Sequence, residues 1–233
     1  MACLFPPRCP VCGDLRIPWE SSTCPECAGK LHRISGPTCF KCGREISGQE
    51  QEYCASCEEK PPSVDRNFAV WRYDRRMKKS IAAFKYGGRR EYSSFYVRHM
   101  AQEIGRLLLR YQVTVLVPVP VSAKRRRFRG FNQAKLLADG LARELGITSA
   151  ELLVRVKDTR PQNSLTPEER KQNLEGAIGW NEAAAKGFSE CPGTVAVIDD
   201  IYTTGSTLSA CADVLREHGV VRIYGVCVCI GAD

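Results

Sequence analysis

Val195-Ala196-Val197-Ile198-Asp199-Asp200-Ile201-Tyr202-Thr203-Thr204-Gly205-Ser206-Thr207 passes from an apolar, β-branched run through two adjacent carboxylates into a loop of hydroxyls around one glycine. Beyond it Leu208, Cys211, Ala212 and Leu215 recur at helical spacing, so the stretch reads as strand, loop and then helix from Thr207 to His218. A helix start exposes unpaired N–H groups and the positive end of the dipole; Thr203, Thr204, Ser206 and Thr207 add hydroxyl donors, and Gly205 permits close approach. Together these make a monophosphate cradle. A nucleoside-triphosphate loop is excluded, because no Lys ends the loop and no six-residue glycine-bounded turn is present; a dinucleotide fingerprint is absent too. A Ser/Thr helix cap would account for the hydroxyls. It would not account for two carboxylates at a strand's end, which are costly unless they meet a metal, hydroxyls or cations.

Outward from this unit the chain alternates short apolar runs with longer helical stretches, an α/β pattern. Strands are expected at Phe68 to Trp71, Val113 to Val119, Leu152 to Val156, Thr194 to Ile198 and Val221 to Ile230. Helices are expected at Arg75 to Phe84, Ser94 to Leu109 and Asn132 to Leu145, the last with Ala134, Leu137, Ala138 and Leu141 on one face. Near-continuous apolar strands belong in a parallel sheet covered on both faces, and such sheets bind ligands beyond their carboxyl ends. The residues after Val119 and Ile198 therefore matter most.

After Val119 the five cations Lys124, Arg125, Arg126, Arg127 and Arg129 lie between a strand and a helix. A charge run is commonly a solvated face; at a strand's carboxyl end in this fold it is the natural pyrophosphate-binding element. A second basic tract, Arg66 to Arg90, has nine Lys/Arg against Asp74, with Trp71, Tyr73, Phe84 and Tyr86 interleaved. Cations beside aromatics suit single-stranded nucleic acid, but an amphipathic helix with its aromatics in the core explains the pattern better.

Residues 1 to 60 hold nine of the thirteen Cys and few large aliphatics, so hydrophobic burial alone does not hold them. Four Cys-x-x-Cys pairs, Cys9/Cys12, Cys24/Cys27, Cys39/Cys42 and Cys54/Cys57, repeat every 15 residues. Each pair is a knuckle offering two thiolates, and two knuckles complete a tetrahedral zinc site, so two structural zinc ions are expected. Equal spacing permits sequential or cross-braced pairing. Gly13 and Gly43 follow the first and third knuckles, whereas Ala28 and Glu58 follow the others; the larger repeat is thus about 30 residues, which favours sequential pairing. A redox dithiol would stand singly in a thioredoxin-like pattern, and that pattern is missing. Cys3, Cys191, Cys211, Cys227 and Cys229 read as packed or free thiols, and the three His stand outside any ligand spacing.

Pro61-Pro62-Ser63 marks a boundary between a Cys-rich unit, residues 1–62, and an α/β domain, residues 63–233. The net charge of +8 belongs to the second, since residues 1 to 60 carry seven Lys/Arg against eight Asp/Glu. That domain should attract anions. No segment is apolar enough to span a bilayer, no signal-peptide pattern opens the chain, and thiols kept for metal suit a reducing compartment; a cytoplasmic protein is expected.

The stretch 195–207 resembles the phosphoribosyl-pyrophosphate (PRPP) signature of type I phosphoribosyltransferases. That resemblance implies ribose-hydroxyl binding by Asp199 and Asp200, as the catalytic acidic pair, and 5′-phosphate binding by Thr203, Thr204, Gly205, Ser206 and Thr207. Val-Pro-Val-Pro at 117–120, Arg129-Gly130-Phe131-Asn132-Gln133, the Cys array, Phe84-Lys85-Tyr86-Gly87-Gly88-Arg89, and Arg155, Thr159, Gln162, Leu165, Arg170 and Asn173 are similar to the ComF family of competence-associated proteins over nearly the whole chain. The likeness implies a mobile loop over Lys157 to Gln172, carrying Arg160, Gln162 and Arg170, Mg²⁺ bound with PRPP, and a link to DNA uptake. Two readings stay open: a phosphoribosyltransferase of unknown acceptor, or a non-catalytic module that handles single-stranded DNA or senses PRPP, with a competence-machinery protein as partner.

Overall fold

The computed structural model describes residues 6–15, 22–48, 50–157 and 176–231. Its centre is a five-stranded, wholly parallel sheet in the order β1-β7-β6-β2-β3. These strands are β1 (Arg66–Arg72), β2 (Val115–Pro118), β3 (Thr148–Ser149), β6 (Thr194–Tyr202) and β7 (Arg222–Ile230). The central pair β6 and β7 is covered on both faces, which is why both are almost uninterrupted apolar runs.

Helices α2 (Arg75–Tyr86), α3 (Tyr92–Arg110) and α5 (Gln133–Leu145) border one face, where Trp71, Ile81, Tyr96, Leu137, Ala196 and Ile198 pack together. The other face packs α7 (Ser206–Glu217) through Leu208, Cys211 and Leu215 on Val195, Val197 and Ile223. A short helix α1 (Ala55–Glu59) carries the last knuckle.

Three elements differ from the sequence expectation. β6 runs on past Ile198 to Tyr202, because β7 continues to pair with it through Asp199 opposite Cys227 and Ile201 opposite Cys229. Leu153–Arg155, β4, joins no parallel neighbour; it pairs antiparallel with β5 (Ile178–Trp180) in a separate ribbon, followed by the single-turn helix α6 (Glu182–Ala185). The basic run after β2 folds as helix α4 (Ala123–Arg129), started by Ser122, whose side chain accepts from the Arg125 amide, and stopped by Gly130 in the left-handed region.

The Cys-rich segment lies along the sheet. Residues 32–34 pair antiparallel with the edge strand β1: the Arg72 amide donates to His32 O and the Ile34 amide to Val70 O, both at 2.9 Å. A sheet edge that would otherwise stand open is thereby covered. The four Cys of the second half sit in the same apolar cluster as Val115, Val197 and Tyr202, whereas those of the first half form a cluster of their own with Val11.

Candidate functional site

Side chains alternate faces along a strand. Ala196 and Ile198 face α2 and α3, so Asp200 faces the same way, while Val195 and Val197 face the α7 side. The extension of β6 carries both carboxylates at the sheet's carboxyl end, close enough for their side chains to act on each other. The Asp200 amide donates to Asp199 Oδ1 at 2.8 Å, tying them locally.

The Asp200 carboxylate is buried, and its Oδ2 lies 2.5 Å from the Lys85 ammonium in the last turn of α2. Burial acts to raise the Asp200 carboxyl; the Lys85 charge overrides it and holds the group below the usual carboxylate range. Burial likewise acts against the Lys85 charge, and Asp200 overrides it, so the ammonium is held above its ordinary value. Asp199, half-buried, is pushed well up by burial and by the neighbouring Asp200 charge, against the pull of Lys85. Lys85 was not among the site residues read from the sequence. Its signal lay in the family-like segment Phe84 to Arg89, where by composition alone a single Lys after the Ile81 and Phe84 stripe looks like an ordinary basic residue of a helix's last turn.

Beyond β6 the loop turns at Gly205, whose φ of 79° is favourable only for glycine; a Cβ there would stand 2.4 Å from the Tyr202 hydroxyl. The turn starts α7, with Thr204 Oγ1 2.9 Å from Ser206 Oγ and the Ser209 amide donating to Gly205 O at 2.8 Å. Thr203, Ser206 and Thr207 are half-exposed and Thr204 is exposed, so the hydroxyls that the sequence singles out share one accessible rim.

Of the basic helix, Arg129 joins this network in the structure. Arg129 donates to Tyr86 Oη at 2.9 Å and to Gln133 Oε1 at 3.0 Å, with its guanidinium over the Tyr86 ring, and its charge acts on both Lys85 and Asp200. Lys124, Arg126 and Arg127 are exposed on α4, Arg125 is half-exposed, and Phe128 between them is 77 % exposed. Arg160, Gln162 and Arg170 of the expected mobile loop lie outside the described residues.

Hydrogen-bonding capacity is left unused here. Among the described residues five buried side-chain atoms lack a hydrogen bond; Arg129 Nε and Gln133 Nε2 belong to this network, as does Asp200 Oδ2, whose charge is met by the Lys85 ammonium at 2.5 Å. Unsatisfied buried groups are costly and concentrate where a ligand completes them.

The Cys sulfurs form two sets, Cys9, Cys12, Cys24 and Cys27, and Cys39, Cys42, Cys54 and Cys57, with the sulfurs of each set within 4.8 Å of one another. The pairing is sequential. A zinc–sulfur bond of about 2.3 Å gives a tetrahedral edge of about 3.8 Å, and Cys12 and Cys24 stand 3.7 Å apart, Cys42 and Cys54 3.6 Å. Despite burial, amide donors of the knuckles hold the Cys9 and Cys39 thiols down at about 7, toward the thiolate that zinc needs. Both clusters suit structural zinc ions.

Residues 1–58 match the double zinc ribbon domain family. The chain is 32 % identical to the competence protein F of Haemophilus influenzae, the match covering 94 % of this chain and 96 % of that protein. It belongs to the ComF family. Other relatives include the DNA utilization protein YhgH of Salmonella typhi, 30 % identical over 94 % of this chain and 96 % of its own length, and the competence protein ComFC of Bacillus subtilis, 30 % identical over 86 % and 80 %. The ComF chain described here has no helix, among the described residues, that is long and apolar enough to cross a membrane.

Proposed function

We propose that this chain binds PRPP with Mg²⁺ at the end of β6 and serves DNA uptake or nucleotide handling in the cytoplasm, transferring the phosphoribosyl group to a nitrogen acceptor. The observation that carries the reading is the pair of carboxylates ending β6, Asp200 buried against Lys85, beside a hydroxyl-rimmed helix start. A purely DNA-binding surface has no physical need for that pair of carboxylates. Asp199 and Asp200 would take the ribose hydroxyls, and the backbone and hydroxyls of 203–207 the 5′-phosphate. Arg129 and the cations of α4 would meet the pyrophosphate, and the segment 157–172 would cover the ligand. Mg²⁺, when bound with the substrate, neutralises the pyrophosphate charge. In transfer, the bond from C1′ to the pyrophosphate oxygen breaks with its electron pair leaving on pyrophosphate, and a C1′–N bond forms to the acceptor, which loses a proton. Such catalysis is positional and electrostatic, and needs no nucleophilic side chain. The naming of relatives as competence and DNA utilization proteins supports the DNA link.

Asp200→Asn should weaken PRPP affinity by about tenfold or more in a calorimetric titration with Mg²⁺; unchanged affinity would remove the ribose from this position. A second reading rests on Phe128, exposed among cations: the same fold acts without turnover on single-stranded DNA. Affinity for an oligonucleotide should then fall steeply with added salt, and indifference to salt would exclude a role for α4.

A further inference from the structure

The two zinc ribbons share the design of their leading knuckles and diverge at the residue that follows the knuckle glycine. In the first, Cys9 N donates to Asp14 O at 2.8 Å and Gly13 N to Cys9 O at 2.9 Å; in the second, Cys39 N donates to Arg44 O at 2.7 Å and Gly43 N to Cys39 O at 3.0 Å. Asp14 and Arg44 thus hold the same place, one residue past the knuckle glycine. Asp14 is exposed. Arg44 instead reaches across to the α/β domain: its Nη2 donates to Thr203 O, its Nε donates to Gly231 O at 3.0 Å, and its guanidinium lies 5.7 Å from the centre of the Tyr202 ring. Tyr202 in turn packs its hydroxyl beneath Gly205, and the Gly231 amide donates to Tyr202 O at 2.8 Å. One cation therefore holds both carbonyls that flank the base of the hydroxyl loop.

The anchor of that cation is rigid. Gly43 stands against β1, where a Cβ would meet Asn67 O at 2.4 Å, and the Asn67 side chain donates to Cys42 O at 2.8 Å. The backbone that presents Arg44 is fixed by the knuckle Cys39/Cys42 on one side and by β1 on the other.

We infer that the second zinc ribbon is a wall of the ligand site, with Arg44 as the positioning residue that sets the phosphate loop. The inference builds on the proposed 5′-phosphate role of residues 203–207. Because Arg44 acts on carbonyls at the loop's base, its effect is on loop shape and not on direct ligand charge.

The test uses the full-length chain with two zinc ions bound, comparing Arg44→Met, Arg44→Lys and Arg72→Met. The last removes the neighbouring ion pair between β1 and Glu45, 2.6 Å in the structure, without touching the loop. Ribose 5-phosphate serves as the calorimetric probe, and amide exchange is followed at Ser209 and Gly231, with the Ile34 amide, bonded to β1, as internal reference. Arg44→Met should weaken ribose 5-phosphate about tenfold and speed exchange at Ser209 and Gly231 but not at Ile34. Arg44→Lys should recover part of both, and Arg72→Met should match the wild type. Unchanged exchange at Ser209 and Gly231 in Arg44→Met would overturn the inference. If wild-type protein bound neither ribose 5-phosphate nor PRPP, the phosphate role of the loop would fall, and the exchange comparison would still decide whether Arg44 sets its shape.

Discussion

Asp200 and Lys85 are each a buried charge that is tolerable only beside the other. Removing one partner of such a pair leaves an uncompensated charge, so Lys85→Met should destabilise the fold by about 3 kcal/mol at neutral pH in urea titrations. Adding Asp200→Asn to Lys85→Met should recover part of that loss. The pH dependence has a definite sign: the Asp200 carboxyl lies lower in the folded chain than in the unfolded one, so its contribution is complete above the unfolded carboxylate value and is lost as pH falls through the folded one. The gap between wild type and Lys85→Met should therefore narrow in acid. The carboxylate pair could be read directly from the sequence, because two Asp ending an apolar strand have few structural uses. Lys85 could not, since its role depends on where the end of α2 meets β6, and no local pattern records that meeting.

At the scale of elements, the β6 to α7 turn depends on Gly205. Gly205→Ala combines a left-handed backbone with a Cβ that the buried Tyr202 ring must move to admit; a cost of about 2 kcal/mol is expected, with weaker 5′-phosphate binding, both measurable against wild type. The strand, loop and helix order here was legible because hydrophobic period, hydroxyl loop and helical spacing change abruptly at known positions. The end of β6 was not. Asp199 and Asp200 look like strand terminators by composition, yet pairing with β7 carries the strand through them. The β5 partner of β4 was likewise illegible, being three residues long with Gly179 at its centre. The cations of α4 could be counted in sequence. Their division into Arg129, held by Tyr86 and Gln133, and an exposed set around Phe128 needed the helix.

Across the whole molecule the two ribbons make different attachments. Cys39, Cys42, Cys54 and Cys57 share an apolar cluster with the sheet and α7, while Cys9, Cys12, Cys24 and Cys27 cluster with Val11 and Leu31. Loss of a zinc ligand should therefore spread further from the second ribbon: Cys39→Ser should lower the melting temperature of the α/β domain by more than Cys9→Ser does, in parallel thermal scans with zinc content measured. Equal effects would contradict the division. The regular Cys spacing announced two zinc sites, but not that the second ribbon joins the sheet's core, because such contacts lie between segments far apart in sequence. The measurement that tests the central claim most directly is a calorimetric titration of the zinc-replete chain with PRPP and Mg²⁺, repeated with a short single-stranded DNA present. Saturable PRPP binding that Asp200→Asn weakens is the predicted result; DNA binding with no uptake of PRPP would contradict it.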